Sequence, residues 1–109
     1  MGRILVYMTA PDHETAERIG RAALEKRLAA CVNILPRVRS MYWWEGGIQQ
    51  EDEVVVLAKT KASLFEAFKT CVLELHPYEV PCIVAVALDH GHEPFLRWVD
   101  GQTRDCSRK

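Results

Sequence analysis

Apolar and polar positions along the chain change period several times, and each change marks an element. Arg3 to Thr9 (RILVYMT) is a short apolar run rich in strand formers, closed by Pro11-Asp12, where Asp12 is placed to cap a helix. From His13 to Ala29 the apolar residues Ala16, Ile19, Ala23, Leu24 and Leu28 recur at helical spacing. Glu14 with Arg18 and Glu17 with Arg21 add i,i+4 pairs, so the stretch predicts an amphipathic first helix. Cys31 to Glu45 predicts a long second strand, in which Val32, Ile34, Val38, Tyr42 and Trp44 share one parity across a bend or bulge at Pro36. Gly46-Gly47 supplies a tight turn, and Ile48 to Thr60 returns as a third strand, polar in its first half (QQEDE) and apolar in its second (VVVLA).

Ser63 and Glu66 read as a capping box, and Leu64, Phe68, Cys71, Val72 and Leu75 form the stripe of a second helix that stops at His76 before Pro77. Cys82 to Leu88 (CIVAVAL) is an uninterrupted apolar strand. Asp89 to His92 is a loop, and Pro94 suits the first turn of a short terminal helix marked by Phe95, Trp98 and Val99. Gly101 to Lys109 shows no pattern. The order β-α-β-β-α-β plus a terminal helix is that of the ferredoxin-like α+β fold, a four-stranded antiparallel sheet in the order 4-1-3-2 with both main helices on one face. A single domain, 1–109, accounts for the whole chain.

The bare face predicts an oligomer. The fourth strand is apolar on both parities, and the first offers Ile4, Val6 and Met8 on one side and Leu5 and Tyr7 on the other, so a lone subunit would leave an apolar layer wet. The hairpin arm from Arg37 to Glu45 reaches about 30 Å at roughly 3.3 Å per residue and needs a surface to lean on. Trp43 and Trp44 each carry on the order of 200 Å² of surface, worth several kcal/mol if buried, and a partner subunit is the simplest place to bury it. Tyr42, Trp43 and Trp44 are therefore the expected interface residues.

Composition narrows the function classes. Lys plus Arg number 14 and Asp plus Glu 15, a net charge of −1 that offers nothing to a phosphate backbone, so nucleic acid is not an expected partner. With 49% hydrophobic and 27% charged residues, the chain has the balance of a folded domain. No run approaches the length of a membrane helix, and the N-terminal residues lack the apolar region of a secretion signal, so a cytoplasmic protein without a membrane partner is expected. Cys31, Cys71, Cys82 and Cys106 are widely spaced without a C-x-x-C pair, and Cys31 and Cys71 read as reduced, packed thiols.

Four blocks then carry a resemblance: Thr9-Ala10-Pro11-Asp12, Glu25-Lys26-Arg27-Leu28-Ala29-Ala30-Cys31-Val32-Asn33, Tyr42-Trp43-Trp44-Glu45-Gly46 and His76-Pro77-Tyr78-Glu79-Val80-Pro81. In combination they closely resemble the CutA divalent-cation-tolerance proteins over almost the whole chain. The resemblance implies a ferredoxin-like subunit in a homotrimer joined edge to edge through the long hairpins, and a role in tolerance of copper and other divalent cations. The ligand positions proposed for the family fall here on Met8, Leu75 and Cys82, none of which keeps the family's ligand type.

The same end of the sheet offers a soft-metal constellation of its own. The first and fourth strands are antiparallel neighbours, so Met8 and Cys82 are expected close together, with His76 and Glu79 on the adjoining turn. Thioether and thiolate suit Cu(I), and imidazole and carboxylate extend the range to Cu(II) and Zn(II). Each residue also has a plainer reading: Met8 as core filler, Cys82 as an inert thiol, and His76 as a helix-terminal residue held by carbonyls. His90-Gly91-His92-Glu93 reads as a solvated loop.

Two functions stand side by side. One is a trimeric, non-enzymatic protein that binds divalent metal ions, copper among them, weakly and needs no cofactor. The other is a signalling or scaffold module holding a small anionic effector or a protein partner in clefts between subunits, resembling nitrogen-regulatory proteins. A glycine-rich phosphate cradle is absent, and Arg18, Arg21, Arg37 and Arg39 read first as solvated faces. No nucleophile with a base and an orienting group is evident, so an enzyme is not expected.

Overall fold

The computed structural model describes residues 2–105. Its elements are β1 (Arg3–Ala10), α1 (His13–Glu25), β2 (Cys31–Trp44), β3 (Gly47–Lys61), a 3-10 turn (Ala62–Leu64), α2 (Phe65–Leu75), β4 (Ile83–Ala87) and α3 (Glu93–Gln102). All neighbouring strands are antiparallel, in the order β2-β3-β1-β4, which is 4-1-3-2 read from the other edge. Ile4, Val6, Met8 and Ala10 of β1 face Thr60, Ala58, Val56 and Val54 of β3. Together they floor a core completed by Ala16 and Ile19 of α1, Leu64, and Phe68 and Val72 of α2. Strand alternation sends Arg3, Leu5, Tyr7 and Thr9 to the opposite face, which α1 and α2 leave uncovered and which α3 reaches at Arg3 through Asp100.

Asp12 caps α1 as expected, its Oδ1 accepting from the Thr15 N–H at 2.8 Å. That bond is the chief reason its carboxyl sits below the ordinary carboxylate range. The helix ends at Glu25, earlier than the predicted Ala29. Arg27 takes φ 59°, the Leu28 N–H donates to the Ala23 carbonyl at 2.9 Å, and the Arg27 N–H to the Leu24 carbonyl at 3.0 Å. This is a Schellman ending with arginine in the position glycine usually takes. No glycine announces it, so the periodicity runs on through Leu28, which is buried after the helix has closed.

The capping box at Ser63 does not form. Ser63 lies in the 3-10 turn, and α2 starts from Leu64 without a side-chain cap. The hairpin turn is Glu45-Gly46, one residue before the predicted Gly46-Gly47. Trp44 pairs with Gly47, and the two loop residues have φ 52° and 81°, the positive pair that matches the twist of the flanking strands. The terminal helix runs further than its markers implied. Leu96 and Val99 are its buried residues, while Phe95 and Trp98 stack outside at 5.6 Å. Arg104 beyond it bonds back, its N–H donating to the Arg27 carbonyl at 2.9 Å. Cys106 lies outside the described residues.

Pro36 does interrupt β2, and the consequence is larger than a bend. Leu35 pairs with Val55 and Val38 with Glu53, so Pro36 and Arg37 together oppose Val54. Two residues against one is a bulge, and it transfers every later side chain of β2 to the other face. Val32 and Ile34 pair with Ala58 and Val56 on the helix side, whereas Val38, Tyr42 and Trp44 pair with Glu53, Gln49 and Gly47 on the open side. The single parity expected for these five residues is therefore split between two faces.

Candidate functional site

The open face carries a cleft of about 560 Å³ where the ribbon of β2 and β3 meets the end of β1 and the segment leading into β4. The bulge builds one wall by turning Tyr42 and Trp44 toward Tyr7 and Thr9. Gln49, Glu51 and Glu53 alternate along β3 on that face, and Tyr78, Glu79 and Cys82 close the far side.

His76 positions that far side. The Tyr78 backbone N–H donates to His76 Nδ1 at 3.2 Å, so the ring proton is on Nε2, which donates to the Thr9 carbonyl at 2.8 Å. The ring is buried and ties the segment after α2 to the C-terminal end of β1. Tyr78 packs against it at 4.7 Å between ring centroids and donates its hydroxyl to Glu53 Oε2 at 2.9 Å. Burial, then the bond to Glu53, pushes the Tyr78 phenol far above its ordinary pKa. The Glu51 carboxylate, as hydrogen-bond acceptor, likewise raises Tyr42, its diagonal neighbour across the ribbon. Both phenols remain proton donors. Burial, with Glu53 as the lesser cause, raises the Cys82 thiol.

The four candidate ligands do not converge. Met8 is 2% exposed inside the helix-side core, paired with Ile83, whereas Cys82 lines the cleft on the opposite face. The expected neighbourhood of Met8 and Cys82 fails because adjacent residues of a strand point to opposite sides. His76 has both ring nitrogens engaged, one by a carbonyl of β1 instead of the helix-end carbonyls first expected. Glu79 and Cys82 do share the cleft. Among the described residues no three His, Cys, Asp or Glu groups stand together as a metal site. His90, His92 and Glu93 are exposed, in keeping with a solvated loop.

Of the aromatic interface candidates, Tyr42 and Trp44 border the cleft, with Trp44 41% exposed, while Trp43 faces the other way and is 73% exposed. Tyr7, Glu51, Glu53 and Tyr78 were not singled out in the sequence as site residues. A usable signal for the acids existed: Glu51 and Glu53 are two apart on a strand, hence on one face, and Glu53 directly precedes the apolar run. At 7% exposure Glu53 belongs to the buried half of the ribbon, not the wet half to which its segment was assigned.

The family model of the CutA1 divalent ion tolerance protein matches residues 4–102. The chain belongs to this family. It is 42% identical over 101 residues to the divalent-cation tolerance protein CutA of Pyrococcus horikoshii, covering 93% of this chain and 98% of that one. It is also 42% identical over 101 residues to the mouse protein CutA, of which it spans only 57% while 93% of this chain is matched. The human CutA protein is similarly covered to 56% of its length. Among solved structures, CutA1 from Oryza sativa superposes with a TM-score of 0.93 at 37% identity over 96% of both chains. Cut A1 from Thermus thermophilus gives 0.92 at 40% identity over 94% of this chain and 99% of that one. The Pyrococcus and Thermus relatives are named as divalent-cation tolerance proteins. The structure from Archaeoglobus fulgidus, 41% identical with a TM-score of 0.89 over 92% of this chain and 97% of that one, is named a periplasmic one. Among the described residues no helix is long and apolar enough to cross a membrane.

Proposed function

We propose that this CutA-family chain is a non-enzymatic, cytoplasmic homotrimer that serves divalent-cation tolerance by holding copper or another divalent ion weakly. The observation that carries the reading is family membership over residues 4–102, joined to a cleft that presents Glu79 and Cys82 together. A carboxylate and a thiol suit copper and zinc, and two protein donors leave the remaining coordination positions to water or to a second copy. Such a site binds weakly, and Met8 and His76 stay outside it. Trimerisation is supported by the exposed apolar side chains of the ribbon and by two sheet edges, β2 and β4, without neighbours. Unpaired thiols at Cys31, Cys71 and Cys82 accord with a reducing compartment.

The alternative of an effector module meets a cleft of the wrong sign for an anion, since three glutamates line it. Titration calorimetry of the reduced protein with Cu(I), Cu(II) and Zn(II) tests the metal reading. Stoichiometric binding that Cys82→Ser abolishes is the expected result, and no affinity better than about millimolar for any of these ions would end it as a direct-binding claim.

A further inference from the structure

His76 is buried where α2 ends, and its two ring bonds exist together only while the imidazole is neutral. Nε2 must carry a proton to donate to the Thr9 carbonyl, and Nδ1 must be bare to accept the Tyr78 N–H. β4 begins at Ile83, opposite Met8, so beyond that point it is the imidazole that joins the chain to β1. A second ring proton would aim Nδ1–H at the Tyr78 N–H. Two donors would then face each other, the Tyr78 amide would lose its acceptor, and a charge would sit in a buried ring.

The groups around the ring do not relieve this. Glu53 of β3 is reached only through Tyr78, whose hydroxyl it accepts at 2.9 Å. Its charge favours an imidazolium, but it offers Nδ1 no acceptor. Glu79 and Cys82 line the cleft, Glu74 of α2 is exposed, and Cys71 is packed in the core. Beyond β1, Asp12 is engaged by the Thr15 N–H and His13 is exposed. Among the described residues no carboxylate pairs with the His76 ring. All of these bonds lie within one chain, so they are made whether or not a second copy covers the cleft.

The segment held by His76 is lightly tied. Residues 76–82 form no helix or strand, and Pro77 and Pro81 have no amide to donate. Two side-chain bonds reach from it to the sheet, His76 to Thr9 and Tyr78 to Glu53. A short segment with so few bonds opens at a cost well below that of unfolding the domain.

We infer that His76 is an acid-sensitive latch: protonation of its ring releases the strap 76–82 from the end of β1 while the sheet and helices stay folded. The closed strap holds the neutral ring and the open strap exposes it to water and a proton. The latch is therefore closed above the ordinary imidazole range, about pH 6.5, and loosens as pH falls through it.

Amide hydrogen exchange of the full chain without added metal, expressed as protection factors, tests the latch independently of the metal reading. Between pH 7 and pH 5 the protection of the Tyr78 amide is expected to fall about tenfold, one proton being taken up on opening, while the amides of β1 and β3 keep theirs. His76→Gln can still donate to the Thr9 carbonyl and takes up no proton in this range, so its Tyr78 protection is expected not to change with pH. The imidazole nitrogen shifts of the wild type supply a check that needs no variant, with the Nε2-protonated neutral ring expected at pH 7 and the charged ring at pH 5. Constant Tyr78 protection, an equal decline across β1 and β3, or the same decline in His76→Gln overturns the inference. A charged ring at pH 5 with Tyr78 still protected overturns it as well.

Discussion

Met8 belongs to the packed cluster between sheet and helices, so replacing it is a packing experiment before it is a metal experiment. Met8→Leu keeps the volume and is expected to cost less than about 1.5 kcal/mol, whereas Met8→Ala leaves a cavity and is expected to cost about 2–5 kcal/mol. Denaturant unfolding reads both, and Met8→Leu is expected to titrate copper as the wild type does. Normal stability with lost copper binding would return Met8 to the ligand set. Residue type alone could not decide between ligand and filler, because a thioether serves either purpose. Strand parity could: Met8 shares a face with Ile4 and Val6, and that face was legible as the core side once the helices were assigned. His76 was harder, since its partners, the Thr9 carbonyl and the Tyr78 amide, lie 67 residues away and two residues on. Only the first of these is a long-range contact, and no periodicity reports it.

At the level of elements, α3 is fixed to β1 by a two-pronged ion pair. Arg3 Nε donates to Asp100 Oδ1 at 3.0 Å and the guanidinium NH2 to Oδ2 at 2.6 Å. The bond to Arg3 holds the Asp100 carboxyl below the ordinary carboxylate range, and the same bond raises Arg3. A depressed folded-state pKa means stability that is present above the unfolded carboxylate range, near pH 4, and lost as pH falls through the folded value. The melting temperature is therefore expected to drop between pH 6 and pH 3. Asp100→Asn should be less stable than wild type at pH 7 and should show a shallower acid decline, with Asp12 and Asp52, also lowered by their hydrogen bonds, supplying what remains. An acid profile identical in slope to the wild type would contradict this role. Elements themselves were readable from period and breakers, and their order gave the sheet. What period could not give was the effect of one inserted residue at Pro36-Arg37. A bulge changes which side chains are neighbours without changing the composition of the strand, and the whole aromatic wall of the cleft depends on it.

For the molecule as a whole, the ribbon sets the long dimension, 44 Å against 29 and 23 Å for the other two. Its far face carries Met41, Trp43 and Ile48 at 64%, 73% and 59% exposure, and the open sheet face adds Val84 and Val86. On the trimer reading proposed above, these exposed apolar side chains on both faces are what the partner subunits cover, and the free edges at β2 and β4 are where sheets continue from one subunit to the next. Burial of even the two indoles of Trp43 and Trp44 would contribute several kcal/mol per subunit. The most direct test is multi-angle light scattering of the purified full chain, diluted through the micromolar range. Three times the chain mass, held on dilution and accompanied by blue-shifted tryptophan emission, is the predicted result. A stable species of one chain mass with solvent-exposed indole fluorescence would contradict it.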